Sequence, residues 1–176
     1  MPDLTAVPAV RDPVFPIAEP QPLTVLSARR GHGTALGRAV ERQTGLLLPP
    51  VNRTVGGGGI RFIWIGPDQW LVRGPLESDG LAAHAGISDQ SDVWTIFSLP
   101  AGEARRVLSK GCAVDLHEGA FKPGHAAVTG VNRFSVVLWR PDSSGDRICA
   151  AVFRSFANSF NDWLTTASGR EGLPHD

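Results

Sequence analysis

Two short hairpins constrain the fold of this chain more than any other feature of its sequence. The segment IRFIWIGPDQWLVRG, residues 60–74, places two apolar runs on either side of Gly-Pro-Asp, a tripeptide typical of turns. Segments 126–131 and 134–139 form a similar pair with an even shorter connection. Strands joined by so short a connection pair antiparallel. The chain is therefore predicted to contain a mainly antiparallel sheet.

The remaining apolar segments predict further strands and helices. Strands are expected at 23–26, 91–99 and 148–153, and helices at 33–44, 77–85, 101–110 and from Ser155 onward. The last helix is amphipathic, because Phe156, Phe160, Trp163 and Leu164 recur at helical spacing. Gly111 is placed to end the third helix as its C′ residue, and residues 49–59, which end in four consecutive glycines, are expected to form a flexible loop. Helices packed on an antiparallel sheet predict the α+β class.

The N-terminal segment differs in composition from the rest of the chain. Residues 1–22 contain six prolines, which lack the backbone donor needed for a helix or a sheet ladder. We interpret 1–22 as an extended arm that lies against either its own domain or a neighbouring chain, because several of its residues are apolar. A single α+β domain is expected at 23–170 and a flexible tail at 171–176.

The charge balance excludes two large classes of function. The formal net charge is zero, so the sequence offers no basic excess for binding nucleic acid or an anionic membrane surface. The chain has neither a signal peptide nor an apolar run of membrane-spanning length, and its two cysteines are too few for a disulfide framework. These features predict a reduced, cytoplasmic protein. Arginines greatly outnumber lysines, which reflects either genomic composition or a preference for interfaces.

The stretch KGCAVDLHEGAFKPGH, residues 110–125, concentrates the side chains from which active sites are built. The spacing of Cys112, His117 and His125 matches no tetrahedral metal motif, so no metal site is predicted. Cys112 follows a glycine that ends a helix, a position more typical of a buried apolar thiol than of a nucleophile. The same region therefore predicts no catalytic residue, and His117, Glu118 and His125 are expected to be solvated or to stabilise turns.

A glycine pattern near the first helix imitates a dinucleotide fingerprint. Gly31, Gly33 and Gly37 follow a short strand and enter a helix. The true motif needs a second parallel strand ending in an acidic residue, and the sequence PPVNRTVGGGG occupies that place. A nucleotide site is therefore not favoured.

Several motifs, taken in order, closely resemble a known family. They are FIWIGPDQWLVRGP, SDVWTIFSLPAGEARRVLSKGCAVDLHEGAFKPG, VVLWR and VFRSFANSFNDWL, which together cover about residues 46–166. This combination resembles the gamma subunit of bacterial heterotetrameric sarcosine oxidase. The resemblance implies a fold related to the folate-binding domain of aminomethyltransferase, the T-protein of glycine cleavage.

The resemblance also implies a function within a complex. Heterotetrameric sarcosine oxidase oxidatively demethylates sarcosine to glycine, with tetrahydrofolate as the one-carbon acceptor and hydrogen peroxide as a product. The implied partners are alpha, beta and delta subunits, and FAD, FMN, NAD, tetrahydrofolate and zinc are expected in those subunits. No cofactor is expected in this chain, whose implied role is non-catalytic assembly and contact with the alpha subunit.

Within the resemblance, Asp115 is the one candidate binding residue. The T-protein motif carries a folate-binding aspartate nine residues before a glycine, and Asp115 precedes Gly124 by that spacing. Asp115 either contacts folate, or its carboxylate caps the turn after Gly111 or pairs with an arginine. The interpretation without folate is preferred because the chain is shorter than a full T-protein. Two other functions stay open: a subunit of a complex that oxidises another N-methyl amino acid, and a free-standing folate-dependent protein.

Overall fold

The computed structural model describes residues 10–142 and 146–169. In that part of the chain nine strands and three helices follow one another, with a single 3-10 turn, Arg154–Phe156, before the last helix. The elements are β1 Leu23–Ala28, α1 Gly33–Thr44, β2 Thr54–Gly57, β3 Ile60–Gly66, β4 Gln69–Arg73, β5 Ala85–Asp89, β6 Trp94–Pro100, α2 Ala101–Leu108, β7 Ala126–Val131, β8 Phe134–Trp139, β9 Arg147–Phe153 and α3 Ala157–Ser168. The predicted tail at 171–176 lies outside the described residues.

The strands form two antiparallel sheets. The first sheet has the order β2-β3-β4-β1-β5 and the second the order β6-β9-β8-β7. Both predicted hairpins are confirmed, with Ile63 opposite Leu71 in β3–β4 and Val128 opposite Val137 in β7–β8. The α+β class is also confirmed, although the strands divide between two sheets.

Period-two alternation along the strands places side chains in three apolar layers. The inter-sheet layer contains Ile63 and Leu71 from the first sheet and Val137 and Trp139 from the second. The outer face of the first sheet packs under α1, with Phe62 and Val72 directed to that side. The outer face of the second sheet carries the largest cluster and is covered by α2 and α3. The molecule is therefore a helix, sheet, sheet, helix sandwich.

The helix predicted at 77–85 is wrong. Residues 79–84 form turns, and the chain then enters strand β5, which pairs with β1 so that Ile87 lies opposite Leu26. The segment begins with Glu-Ser-Asp-Gly, whose side chains favour turns over helix. Ala85 and Ile87 alternate toward the core under α1, which a strand of five residues allows.

The flexible loop predicted at 49–59 is wrong in part, because Thr54–Gly57 form strand β2. Gly56 and Gly57 belong to strand β2, and only Gly58 and Gly59, both with positive φ, form the turn into β3. The guanidinium of Arg61 lies over Gly56, where a Cβ would come within 2.6 Å of it. Because Gly56 has no side chain, the guanidinium of Arg61 on the neighbouring strand has room to lie over it.

Two predicted helix ends also differ from the structure. Helix α2 ends at Leu108, and Gly111 does not adopt the left-handed conformation expected of a C′ residue. At the other prediction, Ser155 lies within the 3-10 turn and gives no side-chain cap to α3, which begins at Ala157. Of the predicted stripe, Phe160 and Leu164 are fully buried, while Phe156 is half exposed.

The described part of the arm packs on its own domain. Phe15 is buried in the cluster beneath α2 and α3, and Ile17 forms an antiparallel bridge with Phe97 on the free edge of β6. The carbonyl of Pro16 accepts from the Ser98 N–H, and the Ala18 N–H donates to Ile96. A proline-rich segment was expected to form no ladder, but this short ladder needs only a proline carbonyl and the donor of Ala18.

Candidate functional site

The stretch 110–125 forms an ordered connection between α2 and β7. Leu116 and Phe121 anchor it, because both side chains are buried in the cluster beneath the helices. The Phe121 N–H donates to the His117 carbonyl at 2.8 Å, which closes a turn. Arg140 fixes the end of that turn, since its Nη1 donates to the Phe121 carbonyl at 2.9 Å.

Asp115 lies exposed at the surface of this connection. Its Oδ1 accepts a hydrogen bond of 2.9 Å from the His117 N–H, two residues further along the chain. Through this contact Asp115 caps a local turn. Neither of the two cavities where the arm crosses the sheets includes Asp115 in its lining. A contact with folate stays a prediction.

The other reactive side chains of the stretch are engaged in local contacts. His117 Nδ1 accepts a hydrogen bond of 3.2 Å from the Gly119 N–H. Glu118 Oε2 lies 3.8 Å from Arg105 Nη2. Cys112 pairs through its backbone with Val131, and burial raises the pKa of its thiol. Among residues 10–142 and 146–169, no group of three His, Cys, Asp or Glu side chains is arranged to hold a metal ion.

His125 closes the stretch and packs edge-on against Phe121, with ring centroids 5.9 Å apart. Partial burial lowers its pKa, and the positive charges of Arg53 and Lys122 act in the same direction. His125 is therefore neutral in the folded protein near pH 7, where its ring packs as an apolar surface.

The glycine pattern at the start of α1 does not form a dinucleotide site. Strand β1 pairs antiparallel with both of its neighbours, β4 and β5, so β1 and α1 are not part of a parallel βαβ unit. Instead, His32 before α1 faces His84, with 3.2 Å between their Nδ1 atoms.

Two cavities lie where the arm crosses the sheets, and the sequence did not indicate either of them. The larger has a volume of about 760 Å³ and lies between the arm and β6, with Trp94 and Arg154 in its wall. The smaller, of about 370 Å³, opens onto the edge of the inter-sheet layer and includes Trp139 and Cys149. Both depend on where the arm docks, and no local sequence pattern reports that position.

Comparison with known proteins assigns the chain to a family. The sequence profile of the sarcosine oxidase gamma subunit family matches residues 30–170. The chain belongs to the sarcosine oxidase gamma subunit family. The Arthrobacter sp. sarcosine oxidase subunit gamma is 30% identical over 155 residues, which cover 82% of this chain and 75% of that relative. The subunit gamma of Corynebacterium sp. strain P-1 is 31% identical over 142 residues, covering 76% and 66%.

A solved structure shares the fold of this family member. Heterotetrameric sarcosine oxidase from Corynebacterium sp. U-96, in complex with pyrrole 2-carboxylate, contains a chain that superposes with a TM-score of 0.76 at 24% identity. The superposition covers 97% of this chain and 90% of the other. The likeness therefore includes the described arm as well as the two sheets. No helix within the described residues is long and apolar enough to cross a membrane.

Proposed function

We propose that this chain is the non-catalytic gamma subunit of a heterotetrameric sarcosine oxidase. In this proposal the whole complex oxidatively demethylates sarcosine to glycine, passes the one-carbon unit to tetrahydrofolate and produces hydrogen peroxide. The observation that carries the proposal is the family match over residues 30–170. Local engagement of His117 and Glu118 in a turn and near an arginine also supports a structural role for the stretch 110–125.

The proposed partners are the alpha, beta and delta subunits of the same complex. FAD, FMN, NAD, tetrahydrofolate and zinc are assigned to those subunits, and this chain serves assembly and contact with the alpha subunit. The surface supports docking. The loop between α1 and β2 carries Leu47 and Val51, and each of these side chains is more than 60% exposed. Because both side chains lie in one loop, they are a candidate for an apolar patch that a partner covers.

Co-expression with and without this chain tests the assembly role. With the chain present, a tagged beta subunit is expected to co-purify with all the other subunits and to release peroxide from sarcosine. Omitting this chain is expected to abolish the intact complex. Val51→Asp is expected to lower the yield of complex by about tenfold or more, because a buried unpaired charge strongly opposes association.

The matched control is Gln69→Asp at the exposed tip of the β3–β4 hairpin, which is expected to leave the yield unchanged. Circular dichroism of both variants checks that the fold is retained. Full activity in the complex that lacks this chain would exclude the assembly role. Calorimetric titration of the isolated chain with tetrahydrofolate tests the alternative. Binding heat that is lost in Asp115→Asn would assign a folate-binding function instead. Turnover of another N-methyl amino acid in place of sarcosine would assign the chain to a sister complex.

A further inference from the structure

The smaller cavity has the dimensions of a small-molecule site. Its volume of about 370 Å³ falls in the usual range for ligand pockets. One wall is the arm at residues 16–19, and the apolar part includes Ile96 and Trp139 from the second sheet. The cavity therefore has an apolar surface on one side, and its polar groups come from the neighbouring strands.

Three arginines from three different strands supply those polar groups. Arg61 on β3 and Arg73 on β4 are directly opposed in the register of the first sheet. Arg147 enters from β9 of the second sheet. Like charges at directly opposed positions of a sheet repel each other, so this arrangement needs negative charge nearby.

Two carboxylates of the described residues, Asp142 beside Arg61 and the exposed Glu19 in the lining, face three guanidinium groups at this cavity. Arg61 is paired, because its Nη2 lies 3.0 Å from Asp142 Oδ1. Arg147 donates from Nε and Nη2 to Ser98, and Arg73 donates from Nη2 to the Glu19 carbonyl, all of which are neutral acceptors. Within the described part of the chain, neither Arg73 nor Arg147 forms an ion pair with a carboxylate.

Cys149 shows that the three charges act on one point of the cavity wall. Burial raises the pKa of its thiol, while Arg73, Arg61 and Arg147 oppose that rise electrostatically. A guanidinium group has five N–H donors in a planar fork that matches the oxygens of a carboxylate or phosphate. The bonds to Ser98 and to the Glu19 carbonyl leave most of the donors of Arg73 and Arg147 unused.

We propose that this cavity binds a small organic oxyanion, a carboxylate or a phosphate ester. Arg73 and Arg147 hold its oxygens, and its apolar part rests against Ile96 and Trp139. The bound anion also relieves the repulsion between Arg61 and Arg73. The site belongs to this chain alone, so it does not depend on the assembly role proposed above.

Calorimetric titration of the full chain with inorganic phosphate and with succinate, at constant ionic strength in chloride, tests the site. Saturable binding is expected for at least one of them. Arg73→Gln is expected to weaken that binding by about tenfold or more, the usual effect of losing a charged hydrogen-bond donor. Arg73→Lys is expected to lose less, since it keeps the charge without the fork.

Two further variants serve as controls. Arg154→Gln removes a charge from the neighbouring larger cavity, where Arg154 already pairs with Asp92, and is expected to change the affinity by less than about twofold. Asp142→Asn frees Arg61 from its carboxylate and is expected to tighten binding by about two- to fivefold. Asp142 is partly exposed. Its substitution therefore tests the site through a gain in affinity, even if Arg73→Gln weakens binding by disturbing the arm.

Three outcomes would overturn the proposal. The first is no saturable binding of either anion by the full chain. The second is an equal loss of affinity in Arg73→Gln and Arg154→Gln, which would indicate nonspecific attraction to positive charge. The third is an anion affinity that is unchanged in Arg73→Gln while that variant loses subunit assembly, which would assign Arg73 to a partner's carboxylate.

Discussion

Gly111 shows how a single residue can be required for a reason other than the one its position suggests. It follows α2, but its backbone is not left-handed. A Cβ at this position would lie 2.9 Å from the backbone nitrogen of Asn132 and 2.9 Å from Cζ2 of Trp163. The Asn132 N–H also donates to the Gly111 carbonyl at 2.8 Å, so the β7–β8 turn cannot move away without losing that bond.

Gly111→Ala is therefore expected to lower the free energy of unfolding by about 1–3 kcal/mol, the usual cost of overpacking. Urea denaturation measures the change. Gly102→Ala is the matched control, because Gly102 lies in α2 and a Cβ added there would meet nothing within 4 Å. That control is expected to raise stability by about 0.5–1 kcal/mol, since alanine favours helix. Equal effects in the two variants would contradict the packing role of Gly111.

The candidate residues fall into two groups: some make contacts with residues close in sequence, and others make contacts with residues far away in the chain. The spacing of Cys112, His117 and His125 is a local property of the sequence that matches no metal motif, and the turn contact of Asp115 spans only two residues. The arginines of the smaller cavity could not be identified in this way, because Arg147 lies on β9 of the second sheet, far in sequence from Arg61 and Arg73 of the β3–β4 hairpin. A cluster assembled by tertiary pairing leaves no periodic signal in the sequence.

Among the elements, the arm depends on one buried asparagine of α3. Asn161 Oδ1 accepts from the Val14 N–H at 3.0 Å, and its Nδ2 donates to the carbonyls of Arg11 and Asp12. Asn161 is only 4% exposed, so its side chain is buried although the bonds to the arm are only partly buried. Asn161 thus supplies the backbone partners that a proline-rich segment cannot find within itself.

Asn161→Ala is expected to release the arm and to cost about 1–3 kcal/mol of stability, because the arm loses three partly buried hydrogen bonds to one side chain. Hydrogen exchange at the Val14 amide should become markedly faster. Asn158→Ala is the control: its Oδ1 accepts from the Arg11 N–H at an exposed site, and its loss should cost about 0.5 kcal/mol or less. An unchanged Val14 exchange rate in Asn161→Ala would show that the apolar contacts of the arm hold it unaided.

The elements that the sequence predicted well are those with local causes. Helix α1 occupies the predicted residues 33–44, and the hairpin β7–β8 occupies 126–131 and 134–139. Strand β5 was missed because AGISD is short, half polar and stabilised by pairing with β1, which is distant in sequence. The preceding residues Glu-Ser-Asp-Gly favour turns over the predicted helix, but their propensity could not report the partner strand.

For the whole molecule, the sequence predicted the antiparallel pairing but not the division into two sheets. Strand β8, with the sequence FSVVLW, is apolar on both faces, because one face meets the helices and the other meets the first sheet. Such a strand has no polar face to indicate how many layers surround it. The cross-sheet bridge between Arg53 and His125 joins segments far apart in the chain and is likewise invisible in local patterns.

The shared inter-sheet layer predicts that both sheets unfold together. Ile63 is fully buried in this layer and faces the second sheet from β3. Ile63→Ala is expected to cost about 2–5 kcal/mol, the range for such truncations in a close-packed core. Hydrogen exchange in β3 and in β9 should accelerate by the same factor, since a loss in a shared layer lowers the stability of one cooperative unit. Ile87→Ala, on the other face of the first sheet and only partly buried, is expected to cost less. If hydrogen exchange in Ile63→Ala became faster in the first sheet only, the two sheets would open independently. The cavities between the arm and the sheets would then open together with only one of the two sheets.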